Sequence, residues 1–172
     1  AFKCIKMKQN QSEKLGWING SWGSFQNLNI PINDRGLNFG DGIFETILIF
    51  NGTPQLLKEH LNRWEKSANI LGMYSPPSQQ WLISLIDEGI NKANLYKQNG
   101  VIRLNWSRGE SQQRGIDLNN IKSHRFWLEI DHYQPTFDSI STLISQTEKR
   151  NTFSQLSSFK TFAYNQAIQA RH

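Results

Sequence analysis

The stretch from residue 33 to residue 73 limits the fold most strongly, because it joins a glycine-rich turn, an apolar segment, an Asn-Gly pair and a helical pattern. Three glycines stand within the seven positions 36–42, and glycine permits close approach of a ligand or a second backbone. Residues 43–50 are rich in β-branched and aromatic side chains, which predicts a strand. Asn51-Gly52 is the strongest short signal for a hairpin turn, so this strand should turn back on itself.

An amphipathic helix is predicted directly after this hairpin. Its apolar residues recur at spacings of three and four, which is the stripe of a helix packed on a core. The stripe consists of Leu57, Leu61, Trp64, Ala68 and Leu71. Strands and helices of this kind in one chain predict a mixed α/β (α+β) fold.

Turn and periodicity signals outline the rest of the chain. We expect a polar arm or an added edge strand over residues 1–15. The other predicted elements are a hairpin turning at Asn19-Gly20, a strand over Phe25–Ile32, a helix from the Ser78 cap to about Lys97, strands over 101–106 and 125–133, a long polar loop over 110–123, a strand over 139–146 and a helix beginning at Tyr164. Gln134-Pro135-Thr136 indicates a linker. We therefore predict a small N-terminal domain over 1–134 and the start of a larger domain over 135–172.

Composition restricts the classes of function. With 37% hydrophobic and 19% charged residues, the chain has the make-up of a globular protein. Its formal net charge is +5, but the basic residues are dispersed, which favours an anionic small molecule over nucleic acid as a ligand. The single cysteine, Cys4, excludes an internal disulfide and a clustered thiolate metal site. No apolar run is long enough to span a membrane, and residues 1–15 are too polar for a signal peptide, so we expect a cytoplasmic protein. The sequence also has no zinc-ligand spacing, so we expect no bound metal.

Short motifs are spread over the stretch from residue 33 to residue 73. They are Asp34-Arg35-Gly36, Phe39-Gly40-Asp41-Gly42, Phe44-Glu45-Thr46, Gly52, His60-Leu61, Arg63 and Ser67-Ala68. Together they resemble the class IV family of pyridoxal-phosphate enzymes, which includes branched-chain and D-amino acid aminotransferases and aminodeoxychorismate lyase. The resemblance implies that family's fold, with a small domain and a larger domain that binds the cofactor pyridoxal 5'-phosphate.

Lys160 is the main candidate for catalysis. On the residue pattern alone, a solvated surface charge is the usual role of a lysine. Phe159 and Phe162 flank it with apolar bulk, which would desolvate its amine and favour the neutral form that a Schiff base requires. The resemblance implies that Lys160 binds pyridoxal phosphate covalently and then moves a proton at the substrate carbon.

The resemblance also implies further binding residues. Tyr164, one helical turn after the lysine, would hydrogen-bond the cofactor ring, and Arg63 would bind its phosphate; a buried tyrosine and a solvated arginine are the alternatives. Arg103 lies in an apolar strand, where a charge should be paired or functional. With the loop residue Arg114, it is a candidate for holding substrate carboxylates. Phe39 corresponds to an aromatic residue of the family's substrate pocket.

Among the family's activities, the resemblance is greatest to aminodeoxychorismate lyase, which releases pyruvate and 4-aminobenzoate in folate biosynthesis. Its support lies in Ser107-Arg108-Gly109 and Arg114-Gly115. Leu48 stands where branched-chain aminotransferases often carry an arginine, and Ile116 where D-amino acid aminotransferases carry a histidine. A class IV aminotransferase acting on branched-chain or D-amino acids is the first alternative, and a non-catalytic basic binding protein is the second.

The resemblance further implies a homodimer. From the charge distribution and the absence of a long apolar run, we expect the partner to be a small anionic substrate and neither nucleic acid nor a membrane. In the resembling family, the second domain is longer than residues 135–172 of this chain. We therefore expect this chain to be the N-terminal portion of a longer protein.

Overall fold

A computed structural model describes residues 14–112, 115–118, 121 and 123–171. In chain order its elements are β1 (Leu15–Ile18), β2 (Ser21–Ser24), α1 (Arg35–Phe39), β3 (Gly42–Phe50), β4 (Thr53–Pro54), α2 (Leu57–Ile70), α3 (Gln79–Lys92), β5 (Gly100–Ser107), β6 (Arg125–His132), a 3-10 helix (Gln155–Ser158) and α4 (Asn165–Arg171). Within this described part, no helix has both the length and the apolar character needed to cross a membrane.

The described strands form one six-stranded antiparallel sheet in the order β2-β1-β6-β5-β3-β4. Both predicted Asn-Gly turns are confirmed: φ is 51° at Asn19 and 48° at Asn51, and the glycine after each also has positive φ. Positive φ at both central residues matches the twist of a two-residue hairpin, and Asn and Gly tolerate it best. The central strand β5 pairs with β3 on one side and with β6 on the other.

Helices α2 and α3 cover one face of this sheet. The predicted stripe of α2 is confirmed, because Leu61, Trp64 and Ala68 are buried in the core. Helix α3 adds Leu82, Leu85, Ile86 and Ile90 to the same core. Alternate residues of a strand point to opposite faces, so the other face of the sheet carries a separate set of side chains, which includes Phe44 and Arg103.

The glycine-rich turn before β3 contains one turn of helix. Asp34 caps α1 by accepting a hydrogen bond from the Gly36 amide at 2.8 Å. Gly40 ends the helix in the left-handed conformation at φ 66°, which glycine adopts without a steric cost. This short helix was not predicted, because five residues are too few for a periodic apolar pattern.

Two predicted strands are wrong. Residues 25–32 form turns and irregular backbone instead of a strand, and Leu28 folds back so that its Cδ1 would lie 2.6 Å from a Cβ at Gly16. Residues 139–146 have no regular structure, and Leu143 is fully exposed. A strand needs a neighbouring strand to satisfy its backbone groups, and in the described part of the chain neither segment has one.

Helix α3 ends earlier than predicted, at Lys92 instead of about Lys97. Asn94 has a φ of 56°, which breaks the helix and turns Leu95 into the core, where it is fully buried. Strand β5 begins shortly afterwards, at Gly100. The helix predicted from Tyr164 is present as α4, whereas the predicted arm falls almost wholly on residues outside the described part. The predicted domain boundary at Gln134 stays a prediction.

Candidate active site

The segment that carries Lys160 lies against the edge of β3. The Phe44 amide donates to the Lys160 carbonyl at 2.9 Å, and the Phe162 amide donates to the Gly42 carbonyl at 3.0 Å. Strand β4 pairs only with the far end of β3, at Ile49 and Phe50, so this stretch of the edge is available. Lys160 is therefore held by strand-like backbone pairing.

Gly42 lets this segment approach closely. A Cβ at residue 42 would lie 2.2 Å from a ring carbon of Phe162, a distance at which two carbon atoms overlap severely. Residue 42 has no side chain to block the ring, so Phe162 lies over the start of β3 and also packs on Trp127 at a centroid distance of 5.5 Å. The glycine in the sequence motif thus has a packing role beside the lysine.

The Phe44 ring is the common surface of three predicted site residues. Lys160 Nζ lies 4.9 Å from its centroid, and the guanidinium carbon of Arg103 lies 3.8 Å from it. Tyr164 packs on the same ring at a centroid distance of 5.4 Å and is 44% exposed. The structure therefore brings Lys160, Arg103 and Tyr164 together around one aromatic ring.

Arg63 lies on the opposite face of the sheet. Its Nε and Nη2 donate to the two carboxylate oxygens of Glu45, at 2.6 and 2.5 Å. His60 Nδ1 lies 2.8 Å from the same carboxylate, so this histidine belongs to the same charged cluster. Glu45 follows Phe44 in β3, and consecutive strand residues point to opposite faces. The hydrogen bonds that Arg63 donates to the Glu45 carboxylate raise the pKa of its guanidinium, so this arginine is charged and already paired.

Phe39 and Arg114 complete the predicted set. Phe39 is the last residue of α1, is about half exposed and lies 5.1 Å from the Arg35 guanidinium carbon. The next residue, Gly40, approaches the backbone of Ala163, so the end of α1 adjoins the lysine segment. Arg114 lies outside the described residues, and its predicted role stays a prediction.

A network of charged residues behind the site was missed in the sequence. Arg35 donates to Asp41 at 2.7 Å and to the carbonyls of residues 115–117 at 3.1–3.4 Å. Arg108 donates to the same Asp41 and to two carbonyls at the end of α2. The signal was present, because each of these charges stands beside a glycine in a motif, but the sequence alone does not indicate which charges pair. The network fixes α1 and the loop after β5 relative to each other.

His124 packs beside this network. Its Nε2 accepts a hydrogen bond from the Tyr74 amide at 3.2 Å, and its ring lies against Tyr74 and Trp106. Burial, with a smaller contribution from the nearby Arg108, lowers the pKa of His124 to about 4, and Asp41 acts in the opposite direction. The imidazole is therefore neutral at physiological pH and serves as a hydrogen-bond acceptor.

Comparisons with known proteins bear on the family and on the fold. The family model of class IV amino-transferases matches residues 42–172. A D-alanine aminotransferase of Staphylococcus aureus is 34% identical over 101 residues, which cover 59% of this chain and 35% of that protein. Among solved structures, a candidate 4-amino-4-deoxychorismate lyase of Legionella pneumophila has a TM-score of 0.69 and 25% identity, covering 84% of this chain and 52% of that chain.

A branched-chain aminotransferase of Thermoproteus uzoniensis is alike in fold, with a TM-score of 0.59 at 21% identity over 70% of this chain and 41% of that chain. The chain spans about a third of the length of the curated relatives it matches. The predicted fold class is confirmed by these likenesses. They favour an enzyme over a non-catalytic basic binding protein.

Proposed function

We propose a function from one premise, which is that this chain belongs to the class IV aminotransferase family. In our proposal, Lys160 binds pyridoxal 5'-phosphate, and the enzyme acts on an amine that also carries a carboxylate. One observation carries the proposal: the Lys160 amine and the Arg103 guanidinium lie on the same Phe44 ring. A Schiff base requires an amine, and carboxylate recognition favours a guanidinium.

The residues present suit the ring of this cofactor more directly than its phosphate. Lys160 offers an amine, Phe44 an apolar surface, and Tyr164 a phenol hydroxyl, all on one face of the sheet. Arg63 is held by Glu45 on the other face. Its Nη1 makes no hydrogen bond to any described residue, so this nitrogen is the one we propose for a phosphate oxygen. A phosphate bound there would share the guanidinium with Glu45.

The mechanism assigns a task to each of these side chains. Pyridoxal phosphate, when bound, supplies an electron sink for bond changes at the carbon that bears the substrate amine. Lys160 would hold the cofactor through its amine, and its Nζ would serve as the base that moves a proton at the carbon bearing the substrate amine. Arg103 binds the substrate carboxylate and so orients the carbon toward Lys160. Phe44 keeps water from one side of the lysine amine.

We propose aminodeoxychorismate lyase as the specific activity, with pyruvate and 4-aminobenzoate as products. The candidate lyase of Legionella pneumophila supports it, because the likeness extends over 84% of this chain. Leu48 and Ile116 also lack the charge and the imidazole that branched-chain and D-amino acid aminotransferases carry at these positions. Phe39, Arg103 and Arg114 are the residues we propose for the substrate.

An aminotransferase that acts on D-amino acids is the second candidate. The 34% identity to the Staphylococcus aureus D-alanine aminotransferase favours it. The two activities differ in one requirement, since a transaminase needs a 2-oxo acid as amino acceptor and the lyase does not. Release of pyruvate from aminodeoxychorismate without any added acceptor supports the lyase, and strict dependence on an acceptor contradicts it.

The cofactor proposal predicts that the chain forms a reducible adduct at Lys160. We expect a visible absorption band on addition of pyridoxal phosphate, its loss on borohydride reduction, and a reduced adduct on the peptide that contains Lys160. Lys160→Arg should remove the band because a guanidinium does not form the Schiff base. Lys149→Arg is the matched control at an exposed lysine and should keep it. An adduct spread over several lysines, or none on this chain, contradicts the proposal for this chain.

A further inference from the structure

We propose that Asn105 and Trp127 hold the Glu129 carboxylate away from Arg103, so that Arg103 keeps its terminal nitrogens available for the carboxylate of a substrate. This inference deepens the function proposed above and rests on it. It assigns Asn105, Glu129 and Trp127 as positioning residues. The ligand class is a small organic carboxylate, such as an amino acid or a 2-oxo acid.

The strand register places two opposite charges, Arg103 and Glu129, where they could pair, yet they do not. Arg103 in β5 and Glu129 in β6 are directly opposite each other on one face of the antiparallel sheet. Opposite charges in such cross-strand positions are close enough to pair. Here, Glu129 Oε1 instead accepts hydrogen bonds from Asn105 Nδ2 and from Trp127 Nε1, both at 3.1 Å. Within the described part of the chain, Arg103 forms no ion pair.

Asn105 separates the two charges by bonding to both. Its Oδ1 accepts from Arg103 Nε at 2.9 Å, while its amide nitrogen donates to Glu129. The residue is 1% exposed, so water cannot easily replace it. Nε is the only Arg103 nitrogen that bonds to a described residue, and the guanidinium packs on Phe44. The side chain is thereby oriented while its Nη1 and Nη2 groups stay free of described partners.

This separation has a functional consequence. A carboxylate in direct contact with Arg103 would occupy the guanidinium edge that best matches a carboxylate ligand. A substrate would then have to displace an internal ion before it could bind. With Asn105 between the charges, Arg103 remains a cation with unused donors beside Lys160 on the Phe44 ring. A carboxylate bound to Arg103 would therefore lie close to the lysine amine.

The test measures the binding of pyruvate to the 172-residue chain by ligand-observed NMR titration. We expect saturable binding that Arg103→Met abolishes. Asn105→Leu should weaken it about tenfold, the effect of losing a charged hydrogen bond, because Glu129 can then turn to Arg103. Adding Glu129→Gln to Asn105→Leu should restore the affinity to within about threefold of the original chain, because the competing charge is gone.

A second variant covers the case in which Asn105→Leu fails to fold. Trp127→Phe keeps an aromatic ring against Phe162 but removes the N–H that holds Glu129. It should weaken pyruvate binding, and Glu129→Gln should again restore it. A purely structural role predicts no restoration in either double variant, and that result overturns the inference, as does the absence of saturable pyruvate binding to the unchanged chain.

The borohydride adduct separates this inference from the cofactor proposal. A chain that forms the adduct at Lys160 but shows no restoration by Glu129→Gln keeps the proposed cofactor and loses the positioning role of Asn105. A chain that shows restoration but forms no adduct keeps the carboxylate site and loses the cofactor proposal.

Discussion

Phe44 organises the site because its ring is the surface that the predicted site residues share on one face of the sheet. Its ring carries Lys160 and Arg103 on the open side of the sheet, whereas the next residue, Glu45, points to the helices and pairs with Arg63. Lys160 and Arg63, which the resemblance assigns to one cofactor, therefore lie on different faces of the sheet. Cofactor binding through both would require the ligand to reach past the edge of the strand.

His124 leads to a prediction of pH-dependent stability. Its pKa of about 4 lies below the ordinary value of 6.5, so the unfolded chain binds a proton at this residue before the folded chain does. The free energy of unfolding should therefore fall as the pH drops from about 6.5 to about 4 and depend no further on this group below that. The half-buried ring limits the change to about 1–2 kcal/mol.

Urea unfolding of the original chain and of His124→Phe at pH 7 and at pH 4.5 measures this effect. The phenyl ring keeps the packing on Tyr74 and Trp106 but does not titrate, so the variant should lose less stability on acidification than the original chain. An equal loss in both chains would show that His124 does not contribute.

At the scale of elements, the pairing of the lysine segment with β3 depends on Gly42. Gly42→Ala should destabilise the fold by about 1–3 kcal/mol, the usual cost of overpacking, and should reduce adduct formation at Lys160 because Phe162 is displaced. Urea unfolding and borohydride trapping measure the two effects.

Phe162→Ala provides the control for this substitution, because it removes the ring that the new methyl group would meet. The cost of Gly42→Ala should be smaller in the Phe162→Ala background than in the original chain. If the two costs are equal, the contact between residues 42 and 162 is not what the glycine permits.

Elements with strong local signals could be predicted from the sequence. The Asn-Gly hairpins and the helix with Leu61 and Trp64 on its stripe were correct, because turn chemistry and periodicity are local properties. The strand predicted over residues 139–146 was wrong, because the side-chain pattern of a segment does not show whether the fold provides a neighbouring strand for it to pair with. Helix α1 was missed because Asp34 and Gly40 act as its caps over a span too short to show a period.

The site could be predicted only in part. Lys160, Tyr164 and Arg103 were inferred from a resemblance, and the structure places them together. Asn105 gave no signal, because an asparagine in a strand acquires meaning only when the register sets it between Arg103 and Glu129. Pairing across strands is a property of the fold, which no spacing within one strand reveals.

At the scale of the whole molecule, large apolar side chains lie exposed beyond β6. They include Phe137, Ile140, Leu143, Ile144 and Phe153. An exposed apolar set of this size favours association. We propose a homodimer, as the family resemblance implies, and expect light scattering at micromolar concentration to give twice the mass of the chain. A mass of 19.9 kDa, that of one chain, would contradict the dimer.

The backbone pairing of Lys160 with β3 also governs which changes in chain length the protein can tolerate. The segment between β6 and the 3-10 helix has little regular structure, so residues added there can bulge outward without moving the lysine. A single residue inserted between Lys160 and Phe162 would shift the strand register by one and send the amine to the opposite side. The number of residues can therefore vary in the segment between β6 and the 3-10 helix, but it must stay constant from Lys160 to Phe162.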